Sequence, residues 1–140
     1  MHSSKKPNKT LNHLSKAQSI WLSLFSLLAF SSIALGAFGA HALSSALNEK
    51  AISWWQTGCQ YMMYHALGGM FITLLLDSLP TVRFSLWAFL LGSLAFSGSL
   101  FTMSLSGITL LGMVTPIGGL FFLFGWGWLI FVFSRSVSRT

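Results

Sequence analysis

Four long runs of mainly apolar residues, about 20–43, 51–76, 84–105 and 108–133, contain no Asp, Glu, Lys or Arg. A helix needs about 20 such residues to cross the hydrocarbon core of a bilayer. Polar, glycine or proline punctuation separates the runs. The expected fold is all-α, an integral membrane bundle of four transmembrane helices. Links such as 44–50 and 77–83 are short, so consecutive helices should lie antiparallel and adjacent, with no room for a soluble domain. A mean hydropathy of +0.71 with only 7% charged residues is outside the range of a water-soluble surface.

The few charges constrain chemistry and orientation. Two acidic residues, Glu49 and Asp77, stand against eight Lys and Arg. Paired carboxylates for hydrolysis or a hard metal site are therefore missing, and the chain is not expected to be an enzyme. The single Cys59 lies inside the second run, which leaves no disulfide framework and no thiolate zinc site. No metal or cofactor is expected. Lys5, Lys6, Lys9 and Lys16 precede the first run, Arg83 separates the second and third, and Arg135 and Arg139 follow the fourth. All fall on one side of a four-span topology, with Lys50 opposite, so the positive-inside rule predicts both termini in the cytoplasm (N-in/C-in) and disfavours dual topology. Trp21, Trp87 and Trp128 map to the inner interface, and Trp54 and Trp55 to the outer one. Residues 1–19 read as a disordered basic cytoplasmic leader, 20–133 as the transmembrane domain and 134–140 as a basic cytoplasmic tail. The leader lacks interleaved aromatics, which suits anionic lipid headgroups and not nucleic acid. A cleaved secretory signal is the less favoured reading, because its apolar region normally has about 7 to 15 residues and this run is longer.

Small residues mark where backbones approach in a bilayer. Ser85, Ala88, Gly92, Ala95, Ser99, Thr102 and Ser106 alternate at steps of three and four along the third run. Ala29, Ser32, Gly36 and Gly39 do so in the first, and Thr115, Gly118, Phe122 and Gly125 in the fourth. Gly58, Gly98 and Gly119 complete the expected packing set, and such a tight bundle argues against a wide aqueous pore within one subunit. On a helical wheel of the second run, Trp54, Gly58, Tyr61, His65, Gly69 and Ile72 share one side. That puts His65 near mid-membrane, where an ionisable side chain is a functional candidate by default. The competing reading is a neutral histidine bridging helices through Tyr61, Ser97 or Ser99. His41 lies at the outer end of the first run, where it caps the helix or bonds the following loop. On straight helices it stands something like 10 to 15 Å from His65 along the membrane normal, too far to share a haem iron. His2 and His13, in the leader, carry no signal. A sulfur stripe of Cys59, Met63 and Met70, near Met62, suits copper(I) but is more often packing filler. Pro116 in the fourth run is expected to free the carbonyl of Gly112 and kink its helix, a feature shared by transporters and packing kinks.

The ordered motifs Leu35-Gly36-Ala37-Phe38-Gly39-Ala40-His41, Trp55-Gln56-Thr57-Gly58 with Tyr61 and His65, Phe96-Ser97-Gly98-Ser99-Leu100, and Thr115-Pro116-Ile117-Gly118-Gly119 with Gly125-Trp126 closely resemble one family. It comprises small bacterial inner-membrane proteins of the YgdD/YwdK type, the domain-of-unknown-function 423 family. The resemblance covers about residues 20 to 130. It implies a four-helix protein of the cytoplasmic membrane with no established biochemical activity. Met62 stands where the family commonly has glutamine, and Phe101 where it has tyrosine.

Two functions remain open. One is a non-enzymatic structural, assembly or membrane-integrity protein acting through its packed faces in the lipid bilayer, as a homo-oligomer or with a membrane-protein partner. The other is a small transporter or channel running past His65, Tyr61, the serines of the third helix and the kinked fourth, with Gln56, Thr115 and His41 as further candidates. A reporter active only in the periplasm, fused after Thr140, should stay silent; strong activity would contradict the N-in/C-in topology.

Overall fold

The structure is a computed structural model and describes residues 14–137. The expectations on Lys5, Lys6, Lys9, His2, His13 and Arg139 lie outside those residues. Among the described residues every element is helical: α1 (Lys16–Phe38), α2 (Glu49–Thr73), α3 (Arg83–Ser106) and α4 (Thr115–Val137). A π-helical turn, Gly39–Leu43, extends α1, and 3-10 turns at Pro80–Val82 and Thr109–Met113 precede α3 and α4. With these turns, Lys16–Leu43, Pro80–Ser106 and Thr109–Ser136 are each long and apolar enough to cross a membrane.

Local signals set the helix ends. α1 starts at Lys16, a turn before the apolar run, because Ser15 and Gln18 form a capping box. Ser15 Oγ accepts from the Gln18 N–H and donates to Asp77 Oδ1 at 2.9 Å. α2 starts at Glu49 because the Asn48 side chain accepts from the Ala51 N–H, with Glu49 placed well for the helix dipole. α3 stops at Gly107, whose φ of +70° gives a left-handed cap that other residues adopt only at a cost. Pro116 departs from the expected kink. α4 begins at Thr115, so the proline occupies the first turn, where its missing N–H breaks no bond. The helical break falls earlier, between Met113 and Thr115.

Consecutive helices pack against one another, α1 on α2, α2 on α3 and α3 on α4. Four of these contacts share one geometry, an aromatic ring seated on a glycine. Phe25 of α1 covers Gly69 of α2, Phe101 of α3 covers Gly58, Phe122 of α4 covers Gly92, and Phe89 of α3 covers Gly125. Trp55 of α2 likewise covers Gly39 in the π turn. Side-chain donors then tie each pair to a backbone carbonyl of its neighbour. Ser32 Oγ donates to Cys59 O (2.8 Å), Ser97 Oγ to Gly58 O (2.7 Å), Ser85 Oγ to Gly125 O (2.8 Å) and Trp55 Nε1 to Leu35 O (2.8 Å). The hydroxyls of Ser99 and Thr115 share a bond of 2.8 Å across α3 and α4. Ser93 Oγ is the buried side-chain polar atom without a partner among the described residues, and nothing in the structure explains it.

Several inward-facing expectations shift by one position. The buried edge of α2 runs Ala51, Trp55, Gly58, Met62, His65, Gly69 and Ile72, so Trp55 and not Trp54 faces inward. Trp54 instead lies under the Lys50 ammonium, 5.3 Å from its ring centroid. Of the sulfur stripe, Cys59 and Met63 border one groove, whereas Met62 packs in the main apolar cluster and the Met70 sulfur faces Ser26 Oγ, so the four sulfurs do not gather at one point. Thr102 and Ser106 are exposed, each bonding its own helix. Nothing lies within 4 Å of a Cβ placed on Gly36 or Gly98, so these two glycines permit no close approach; Gly119 makes ordinary contact with Phe96.

Gly118 is the tightest of the packing glycines, because a Cβ there would meet the Phe96 backbone, with Cα at 2.7 Å, and backbone cannot swing aside. Gly118→Ala should therefore lower unfolding stability by about 1–3 kcal/mol, whereas Gly98→Ala should stay within about 0.5 kcal/mol of the parent. Thermal unfolding in detergent checks both, and equal effects would contradict the packing assignment.

Candidate functional site

His65 lies on the buried edge of α2 with 5% of its surface exposed. Helical spacing sets its first contact: Nδ1 stands 2.8 Å from the carbonyl of Tyr61, four residues earlier. Its second contact crosses the bundle, where Trp126 Nε1 of α4 donates to His65 Nε2 at 3.2 Å. A carbonyl only accepts and an indole N–H only donates, so one tautomer satisfies both, the neutral ring with its proton on Nδ1. Both nitrogens are then used inside the protein.

Aromatic rings enclose the imidazole. Phe122 of α4 stacks on it with centroids 3.4 Å apart and planes 5° from parallel. Phe89 of α3 meets it edge-on at 5.1 Å. These two rings also sit on Gly92 and Gly125, so the contacts that close the α3–α4 interface position the walls around His65.

Beside this box, Tyr61, Tyr64, Phe96, Pro116, Leu120 and Trp126 border a groove of about 710 Å³ between α2 and α4. Tyr61 is 39% exposed, and its ring packs 4.7 Å from Phe96. The structure thus brings Tyr61, His65 and Pro116 to one place. Ser97 and Ser99 of α3 are bonded to Gly58 O and Thr115 respectively, and not to the imidazole. His41 is exposed in the π turn, and Gln56 is exposed on the outer face of α2.

Trp126, Phe122 and Phe89 are the site residues that the sequence reading missed as partners of His65. The available signal was the indole of Trp126, a donor that must find an acceptor when it lies among apolar side chains. Among the described residues no group of three or more His, Cys, Asp or Glu gathers where it would hold a metal ion. Asp77 is held by Ser15 beyond the end of α2, and Glu49 sits in that helix's first turn, so each acidic residue lies at an end of α2, remote from His65. The arrangement suits a neutral, hydrogen-bonded cross-brace and offers no acid–base pair.

Trp126→Phe keeps the ring but removes the N–H. It should cost about 1–3 kcal/mol by leaving Nε2 unpaired. His65→Ala, which also empties the box, should cost more, about 2–4 kcal/mol. Unfolding midpoints in one detergent check the order, and a neutral Trp126→Phe would contradict the bond.

The profile of a family described as "Protein of unknown function (DUF423)" matches residues 35–119. The chain is 39% identical over 110 residues to the UPF0382 membrane protein YwdK of Bacillus subtilis (strain 168), covering 76% of this chain and 89% of the relative. It is 41% identical over 119 residues to a UPF0382 membrane protein of Haemophilus influenzae, covering 84% and 96%. It is 38% identical over 104 residues to the UPF0382 inner membrane protein YgdD of Escherichia coli (strain K12), covering 70% and 76%. No solved structure matches the chain. A profile match over most of the motif-bearing region, with relatives aligned along most of their length, shows that this chain belongs to the DUF423 family of membrane proteins.

Proposed function

We propose that the chain is a four-span, non-enzymatic protein of the cytoplasmic membrane with both termini inside, serving as a packed structural or assembly unit. The observation that carries this reading is the bonding of His65, whose two ring nitrogens are both spent on bracing α2 against itself and α4. To pass a proton, a ring nitrogen must face a group that can give or take one, and neither the peptide carbonyl at Nδ1 nor the indole N–H at Nε2 does so near neutral pH.

Chain geometry supports the fourth span. The starts of α1 and α3 lie at one end of the bundle, where the Trp21 and Trp87 rings meet 4.9 Å apart. Trp128 Nε1 donates to Thr81 O at that same end. If α1 and α3 both cross the membrane, α2 must carry the chain back between them. Lys16, Arg83 and Arg135 gather at this end, which favours the cytoplasmic side. The inner-membrane name of the Escherichia coli relative agrees with that compartment.

The groove between α2 and α4 favours one rival, a small transporter or channel with Tyr61, His65 and Pro116 on its path. Flux measurements separate the two. In proteoliposomes, proton and ion flux should equal that of protein-free vesicles. In cells, His65→Ala should weaken any phenotype only in step with its membrane abundance. Flux that His65→Ala abolishes at normal abundance would establish the transporter instead.

A further inference from the structure

Among the four long helices, α2 alone falls short of the length-and-apolarity threshold for a span. Part of the reason lies on its outward face, where Ser53, Gln56, Gln60 and Tyr64 follow one another at helical spacing, all exposed. Exposed hydroxyls elsewhere in the bundle bond the carbonyl one turn back, as Ser23 does to Ser19 O and Thr57 to Ser53 O, so they cost little in lipid. A carboxamide is different. It has two N–H donors and an oxygen with two lone pairs. Gln60 uses one N–H on Tyr64 Oη at 2.7 Å, which leaves its oxygen and its second N–H unmet among the described residues. Gln56 makes no side-chain hydrogen bond among the described residues. Gln60 lies midway along α2, and hydrocarbon at that depth satisfies neither group.

We infer that this face of α2 is where two copies of the chain associate, with Gln60 of each copy paired through its carboxamide. The inference rests on α2 spanning the membrane, as proposed above. Two copies inserted in the same sense are related by an axis along the membrane normal, which sets each residue opposite its own counterpart at the same depth. Self-pairing then demands a side chain that both donates and accepts. A carboxamide meets this condition and closes two N–H···O bonds with its twin, whereas a carboxylate or an ammonium would repel its own kind. The surface also has room for a neighbouring helix. A shallow groove of about 550 Å³ runs beside the stripe, with Ser32, Gly36 and Cys59 among its lining residues, and a Cβ on Gly36 would meet nothing within 4 Å.

Disulfide trapping in native membranes tests the pairing. In a full-length Cys59→Ala background, a single cysteine is placed at Leu67, on the same face two turns from Gln60, or at Leu94 on the exposed side of α3. Mild oxidation should link Leu67→Cys into a dimer and leave Leu94→Cys monomeric. Adding Gln56→Leu and Gln60→Leu, which suit a lipid-facing surface, should cut the linked fraction about tenfold at unchanged abundance. No dimer from Leu67→Cys, an equal dimer from Leu94→Cys, or trapping that survives the two leucines would each overturn the inference. A membrane-impermeant maleimide applied to the same cells separates the two levels. Labelling of Leu67→Cys would sink the four-span reading itself, whereas an unlabelled cysteine that fails to cross-link sinks only the pairing.

Discussion

Everything in this structure depends on how closely the helix backbones approach. In a bilayer, helices gain little from being hidden from their surroundings, since lipid tails are as apolar as the side chains they replace. Attraction must come from contact, and contact deepens where one helix has no side chain to hold the other away. The chain meets this requirement repeatedly in the same way, by seating Phe25, Phe89, Phe101 and Phe122 on glycines of the neighbouring helix. Close approach then brings carbonyls within reach of short donors. Ser32 and Ser97, from α1 and α3, reach the adjacent carbonyls of Cys59 and Gly58 in α2.

The environment of His65 follows from that packing. Phe122 packs on Gly92 and stacks on the imidazole, and Phe89 packs on Gly125 and meets the imidazole in a T-shaped contact. The histidine is thus one more part of the interlock, and its polar atoms are satisfied by a carbonyl of its own helix and an indole from α4. If α2 crosses the membrane as proposed, this bonding is what lets a histidine lie there: the ring is neutral and has no unmet donor or acceptor.

The helical runs were legible because apolar stretches free of charge have one common solution in lipid. The seams along α3 and α4 were legible at Ser85, Gly92 and Ser99, and at Gly118, Phe122 and Gly125, because heptad spacing of small residues says which side a neighbour occupies. Spacing does not say which glycine meets an aromatic ring, and so Gly36 and Gly98 look the same in sequence as Gly39 and Gly58. The one-position error at Trp54 and Trp55 has a similar cause, since adjacent indoles differ by about 100° on the wheel and a few degrees of helix rotation decide between them. The apolar count put the start of α1 a turn late, because the Ser15–Gln18 capping box begins the helix in polar residues ahead of the apolar run. Pro116 misled because proline inside an apolar run reads as a kink, whereas the backbone had already broken before Thr115. The partner of His65 was out of reach, 61 residues away on a helix whose rotation the sequence alone does not set.

On the proposed reading His65, the one buried histidine among the described residues, is a neutral brace and not a working group. Nitrogen-15 magnetic resonance of the full-length chain in lipid bilayers, with the His65 signal assigned by its loss in a substituted chain, tests this most directly. The account predicts a neutral ring with a protonated Nδ1 and a bare, hydrogen-bonded Nε2. A doubly protonated ring, or a neutral ring with its proton on Nε2, would contradict it.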